Sequence, residues 1–375
     1  MFKNTFFALL TVMMLITLNA KALELNATSY YFMEPETGTV ILEKNADKQI
    51  GPASLTKVMT AYLLFEALET TDLTLESELK ISKKAWKKGG SKMFLEVGKT
   101  VQVEDLIKGI LVSSGNDACI VAAEYLAGTE DAFAEMMNEK ALELKMFNTT
   151  FKNSSGWPDP EQVSTAKDMS ILARSILKDF PKYYDYFSIT RFSYNDISQP
   201  NRNGLIRRGV GVDGLKTGHI DESGYHLLSS AKRQNVRLIS TVMGTKSMKA
   251  REDETLTGLS YAFRTHSMLD VLSKNTIIEN KAPVWLGKKD TVSLKAGEDL
   301  TFYLANKDKK KITSEIIYKA PFKAPIILNQ KLGILRITNP TSGAVVDIPL
   351  LSAENINEVG FVTKAWRYVL HALGL

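Results

Sequence analysis

The chain has 375 residues, 44% of them hydrophobic, and a formal net charge of +5 at pH 7. That length suggests two domains with real cores, and so mild a charge gives no case for a nucleic-acid partner. A single cysteine, Cys119, excludes an intramolecular disulfide, and the four histidines show no H-E-x-x-H spacing, which argues against a zinc peptidase.

In chain order, Lys3, the apolar stretch Phe6 to Leu18 and the triplet Ala20-Lys21-Ala22 read as a secretory signal peptide over residues 1–22. The apolar run is too short for a membrane span, which needs about 20 residues. Cleavage removes Lys3 and Lys21, so the formal charge falls from +5 to +3.

Residues 23–282 read as mixed α and β. Tyr30 to Glu43 has apolar stretches flanking Glu34-Pro35-Glu36-Thr37-Gly38, the pattern of a hairpin. Ser54 to Leu68 is expected as a helix, because Leu55, Val58, Met59, Tyr62 and Leu63 recur at three- and four-residue spacing. Glu104 to Val112 is a second helix. Asn116 or Asp117 is placed to cap a third that ends at Gly128. Cys119 falls in an apolar helical run and reads as packing. Met169 to Leu177 is helical. Three strands follow, Val212 to Ile220, Tyr225 to Lys232 and Val236 to Met243, the last two joined by a turn at Gln234-Asn235. This pattern predicts an α+β domain of helices packed on an antiparallel sheet.

Short alternating runs after Pro283 predict a small all-β, sandwich-like domain over residues 283–352. Its basic run Lys307 to Lys311 reads as a solvated loop. Residues 353–375 end in an amphipathic helix. Val362, Ala365, Trp366, Val369, Leu370, Ala372 and Leu373 fall on one half, and Thr363, Lys364, Arg367 and His371 on the other. Such a helix suits a membrane surface, or else docking on the β-domain.

Three motifs carry the chemistry: Ser54-Leu55-Thr56-Lys57, Ser114-Gly115-Asn116 and Lys216-Thr217-Gly218. S-x-x-K alone is weak, since it recurs at Ser77, Ser164, Ser175 and Ser229. K-T-G occurs once. The combination and its order supply the meaning. Lys57 at i+3 shares a helical face with Ser54 and can act as the base that a serine nucleophile needs. At its ordinary pKa only about one lysine in a thousand is neutral near pH 7.4, so burial and a second cation, for which Lys216 is the candidate, are expected to lower it. Ser114 suits a proton relay, the Asn116 amide a substrate carbonyl, and Gly218 a strand that a peptide approaches closely. The backbone N–H groups of Ser54 and His219 suit an oxyanion, and Thr217 with a nearby arginine suits a carboxylate.

With the flanking stretches Gly51 to Lys57, Leu111 to Ala118 and Asp213 to His219, the chain resembles the low-molecular-weight penicillin-binding proteins, the serine D-Ala-D-Ala carboxypeptidases related to penicillin-binding protein 5. The resemblance implies the serine β-lactamase/DD-peptidase-like fold. It also implies acyl transfer from the D-Ala-D-Ala terminus of a peptidoglycan stem peptide to Ser54, with Lys57 as base and Ser114 and Lys216 in support. Thr217, Arg251 and Arg202 fall at positions near the terminal carboxylate. β-Lactam antibiotics are implied as substrate mimics and the periplasmic face of the cytoplasmic membrane as the location, with no metal or organic cofactor. A DD-endopeptidase is a close alternative, and a wall-binding scaffold without activity a distant one. A class A β-lactamase normally reads S-D-N and uses a glutamate for deacylation. Here Gly115 replaces the aspartate, and Glu161 lies in the right region without the asparagine expected after it.

Overall fold

The computed structural model describes residues 23–373 apart from residue 342, so the expected signal peptide lies outside the described residues. The first part of the chain is α+β. Strands β1 (Ser29–Met33), β2 (Val40–Lys44), β3 (Val212–Ile220), β4 (Gly224–Arg233) and β5 (Val236–Thr245) form one antiparallel sheet in the order β2-β1-β5-β4-β3. The first and last strands of this sheet in sequence, β1 and β5, pair in its interior, Tyr31 opposite Thr241. Strand β3 is therefore an edge.

Helices cover both faces. On one lie α1 (Lys57–Thr70), α2 (Val103–Leu111), α3 (Asn116–Ala127), α4 (Glu130–Glu143) and α5 (Ala166–Asp179), and their core includes Leu228, Ile239 and Met243 from the sheet. On the other, α6 (Met248–Thr265) buries Leu259 and Ala262 against Phe32, Leu227 and Val242. Val58, Met59, Ala61, Leu64 and Phe65 are all buried on α1. A helix apolar around its whole circumference belongs in the interior, and α1 carries Lys57 inside with it.

The helix expected from Ser54 begins as a tight 3-10 turn, Ala53–Thr56, before the α-helical stretch from Lys57. Neither Asn116 nor Asp117 caps α3, whose cap is Gly115 without a side-chain bond. Asp117 instead turns its buried carboxylate to the N–H groups of Met93, Phe94 and Leu95, at 2.9, 3.0 and 3.1 Å. A charge-assisted clamp of this kind ties the first turn of α3 to the 93–95 segment. A short hairpin not anticipated from the sequence, Arg191–Tyr194 with Ile197–Pro200, closes on the same segment through Gln199, which donates to Lys92 O at 2.9 Å.

Strands of the second module begin ahead of Pro283. They are β6 (His266–Leu272), β7 (Ile277–Trp285), β8 (Thr291–Ala296), β9 (Leu300–Ala305), β10 (Thr313–Ile317), β11 (Phe322–Lys323), β12 (Lys331–Asn339) and β13 (Ala344–Ser352). β6 pairs with β9, and the others form a sheet in the order β10-β12-β13-β8-β7-β11. Leu269, Val271 and Ile278 pack against this module's core, which is why the strands start at His266 although the sequence texture changes only at Pro283.

Helix α7 (Phe361–Ala372) follows. Its polar side meets the β-domain: Arg367 reaches Asp290 at 3.1 Å, Lys364 pairs with Glu358 at 2.9 Å, and Trp285 packs against Tyr368 and His371. Phe361, Val362, Trp366, Val369 and Leu373 are left exposed, Phe361 at 85% and Trp366 at 61%. No helix among the described residues is long and apolar enough to cross a membrane.

Candidate active site

Three chain segments converge at the edge strand β3. The first is the Ala53–Thr56 turn. Ser54 there is the acceptor of a 3.0 Å bond from Lys57 Nζ, and Lys57 also donates to Ser155 O at 2.5 Å. Ser155 belongs to a loop built to present that carbonyl. Asn153 Oδ1 accepts from the N–H groups of Gly156 and Trp157, both at 2.9 Å, and the buried Glu130 accepts from Ser154 Oγ at 2.9 Å. Gly156, at φ +80°, lets the loop close on the nucleophile turn, because a Cβ there would stand 1.8 Å from Ala53 O.

The second segment brings Ser114, which has φ 60°, to Lys216 on β3, with Lys216 Nζ 3.0 Å from Ser114 Oγ. Cross-strand partners share a face. Lys216 pairs with Leu228, a member of the helical-layer core, so its ammonium points toward α1 and α3.

Electrostatics differ from the sequence expectation. Burial pushes Lys57 down to about 8, with smaller help from Arg202 and Lys88. Lys216 is itself driven well below the ordinary lysine range by burial and then by the charges of Lys57, Arg202 and Arg251. Burial, more than the neighbouring cation expected from the sequence, is thus the larger cause for both lysines. Each lysine serves its own hydroxyl, Lys57 with Ser54 and Lys216 with Ser114.

The third segment supplies the far wall. Arg251, on α6, donates to Gly218 O at 3.2 Å, and its buried Nε has no hydrogen-bond partner. Tyr225 stacks on His219 with centroids 3.9 Å apart and lies under the Arg251 guanidinium at 5.8 Å. Ser54, Ser114, Arg202, Thr217, Gly218, His219 and Arg251 all line one cleft of about 870 Å³. Lys57 and Lys216 lie beneath it, both buried. Asn116 is buried beside it and its amide is already committed, donating to Gly89 O at 2.9 Å. Glu161 is elsewhere, paired with Lys152 at 2.7 Å on the surface.

Sequence reasoning missed Ser155, whose contribution is a main-chain oxygen, and the Tyr225 stack. The turn signal Asn153-Ser154-Ser155-Gly156 was the available pointer to the first. It also missed His226, fully buried opposite Gly218 on β4. His226 Nδ1 accepts from Gly244 N–H at 3.0 Å, which leaves the proton on Nε2, facing Gly51 O at 3.1 Å.

Comparison with known proteins identifies a family. Residues 16–247 match the D-alanyl-D-alanine carboxypeptidase family, and residues 266–358 match the penicillin-binding protein 5 C-terminal domain. D-alanyl-D-alanine carboxypeptidase DacC of Escherichia coli (strain K12) is 35% identical over 358 residues, covering 93% of this chain and 89% of its own. The crystal structure of penicillin-binding protein 5 from Haemophilus influenzae superposes with a TM-score of 0.76 at 33% identity, covering 89% of this chain and 98% of the other. Penicillin-binding protein D2 from Listeria monocytogenes, in its ampicillin-bound form, superposes with a TM-score of 0.59 at 30% identity, covering 64% of this chain and 99% of the other. The chain belongs to the D-alanyl-D-alanine carboxypeptidase family, with the C-terminal domain of penicillin-binding protein 5 attached.

Proposed function

We infer that the protein is a serine-type D-alanyl-D-alanine carboxypeptidase that removes the terminal D-alanine of peptidoglycan stem peptides. The observation that carries this reading is the pairing of Lys57 with Ser54 and of Lys216 with Ser114 beneath a cleft whose wall holds Arg251 and Thr217. With its pKa near 8, roughly one fifth of Lys57 is neutral at pH 7.4. Neutral Lys57 takes the Ser54 proton, and Oγ attacks the carbonyl between the two D-alanines. The N–H groups of Ser54 and His219 receive the oxyanion. Ser114, held by Lys216, passes the proton to the leaving amine, and water then hydrolyses the ester. Arg251, Arg202 and Thr217 hold the carboxylate, and Asn116 buttresses the wall through Gly89. Penicillins acylate Ser54 in the same way, a reading supported by the ampicillin-bound relative. The test is D-alanine release from a synthetic stem pentapeptide. Ser54→Ala is expected to abolish it, and release that survives the substitution would place the chemistry elsewhere.

The protein acts outside the cytoplasm, at the membrane surface facing the wall, with α7 lying in the lipid headgroup layer. Support comes from the outward side chains of Phe361, Val362, Trp366, Val369 and Leu373, while Lys364 and Arg367 tie the helix to the β-domain. Flotation with anionic liposomes should retain the wild type and lose Phe361→Ser/Trp366→Ser. Equal retention of both contradicts the placement.

A further inference from the structure

Beside the cleft, residues 82–92 carry five lysines, Lys83, Lys84, Lys87, Lys88 and Lys92, and no aspartate or glutamate. They form a short helix, Lys83–Lys87, whose cap Ser82 accepts from Ala85 N–H at 3.0 Å, and then a turn through Gly89 and Gly90. Three of the lysines are committed: Lys84 to Glu130 at 3.2 Å, Lys88 over the Trp157 ring at 4.8 Å, and Lys92 to the main-chain oxygen of Trp86 at 2.8 Å. Lys83 and Lys87 are exposed and make no ion pair among the described residues. Trp86, on the same short helix, and Trp157 leave 43% and 42% of their surfaces open.

This segment is fixed rather than loose. Ala85, Met93 and Leu95 are buried under it, Asp117 holds the amides of residues 93–95, and Asn116 holds Gly89 O. Gly90, at φ +76°, admits the indole of Trp157, since a Cβ there would stand 2.9 Å from that ring. Like charges held together repel one another, and a fixed array of them with open aromatic rings is complementary to an anionic partner that also has apolar faces. Ser91 lines the catalytic cleft, whereas Lys83, Trp86 and Lys87 do not. The patch therefore continues the site outward without belonging to it.

We propose that this rim is a second binding surface, for the polymer that carries the substrate. With one stem peptide in the cleft, the glycan strand lies over Trp86 and Trp157, and carboxylates of neighbouring stems meet Lys83 and Lys87. Capture of the next stem then becomes a local event, because the strand is already held. The proposal rests on the carboxypeptidase reading of Ser54 and adds no chemical step to it.

The experiment sediments full-length Ser54→Ala protein with purified sacculi, and compares D-alanine release by the active protein on sacculi and on a soluble stem pentapeptide. Lys83→Gln/Lys87→Gln is the informative variant, because both lysines are exposed and unpaired. Its retention by sacculi, and its rate on sacculi at limiting wall concentration, should each fall about fivefold, while its rate on the pentapeptide stays within about twofold of wild type. Added salt should weaken retention of the unsubstituted surface, and Trp86→Ala should weaken it as well. Unchanged retention of the double variant overturns the proposal alone, and so does equal loss of rate on both substrates. Weakened flotation with anionic liposomes at unchanged retention by sacculi also overturns it, by turning the patch toward lipid. A wild type that releases D-alanine from neither substrate overturns the carboxypeptidase reading and this proposal together.

Discussion

Lys57 Nζ lies 3.0 Å from Ser54 Oγ, yet the residue that aims it is neither of these but Ser155, whose carbonyl takes the lysine's other hydrogen bond. Nucleophile and base are fixed by two segments nearly a hundred residues apart in sequence. Burial of that lysine sets both the chemistry and its cost.

The rate of acylation should rise with pH and level off above a midpoint near 8, because Lys57, lowered to about 8, must be neutral to accept the serine proton. Stopped-flow acylation by a chromogenic β-lactam between pH 6 and 10 measures it. A midpoint near the ordinary lysine value contradicts the role given to burial.

Lys57→Met should abolish acylation while raising Tm at pH 7. Folding lowers the lysine's pKa from 10.5 to about 8, so between those values the unfolded chain binds more protons than the native one. Stability contributed by this group therefore increases with pH across that window. Below pH 8 the full penalty applies, about 3 kcal/mol. Calorimetry should find the gap between variant and wild type widest near neutrality and narrowing toward pH 10. A variant less stable than wild type at pH 7 would show that packing of the lysine stem outweighs desolvation.

His226→Ala should lower kcat by about tenfold with little change in KM, since the ring joins Gly244 on β5 to Gly51 just before the nucleophile turn. His226→Asn, which keeps a donor, should recover part of the loss. Burial lowers His226 to about 4. The unfolded chain thus takes up the extra proton first, and this contribution to stability is lost as pH falls below the ordinary histidine value toward 4. An unchanged kcat in His226→Ala would remove the positioning role.

Cys119 should resist thiol reagents in the native protein and react fully after unfolding in guanidinium. It is completely buried, and burial raises its pKa to about 12. Rapid labelling of the native protein contradicts the packing described here.

Much of the fold was legible because its elements repeat a simple period. Helix α1 announced itself through the spacing of Val58, Met59, Tyr62 and Leu63, although it is buried on all sides, and Val212–Ile220 is a strand at the boundaries its residues suggested. The start of the second module was not legible, since β6 pairs with β9 across a long connection while its own residues, half-buried, carry weak alternation. Asp117 has the chemistry of a helix cap and was read as one. Its true partners, the amides of residues 93–95, are distant in sequence. For the site, spacing brought Ser54 and Lys57 together and motif order suggested Ser114 and Lys216. Spacing could not tell that both lysines are buried, which is the first cause lowering each of them.

The central claim, that Ser54 is the residue made nucleophilic by Lys57, is tested most directly by intact-mass and peptide mass spectrometry after brief exposure to benzylpenicillin. One adduct on the peptide containing Ser54, absent in Ser54→Ala and in Lys57→Met, is the expected result. An adduct on Ser114 or any other serine, or undiminished labelling of Lys57→Met, contradicts the account.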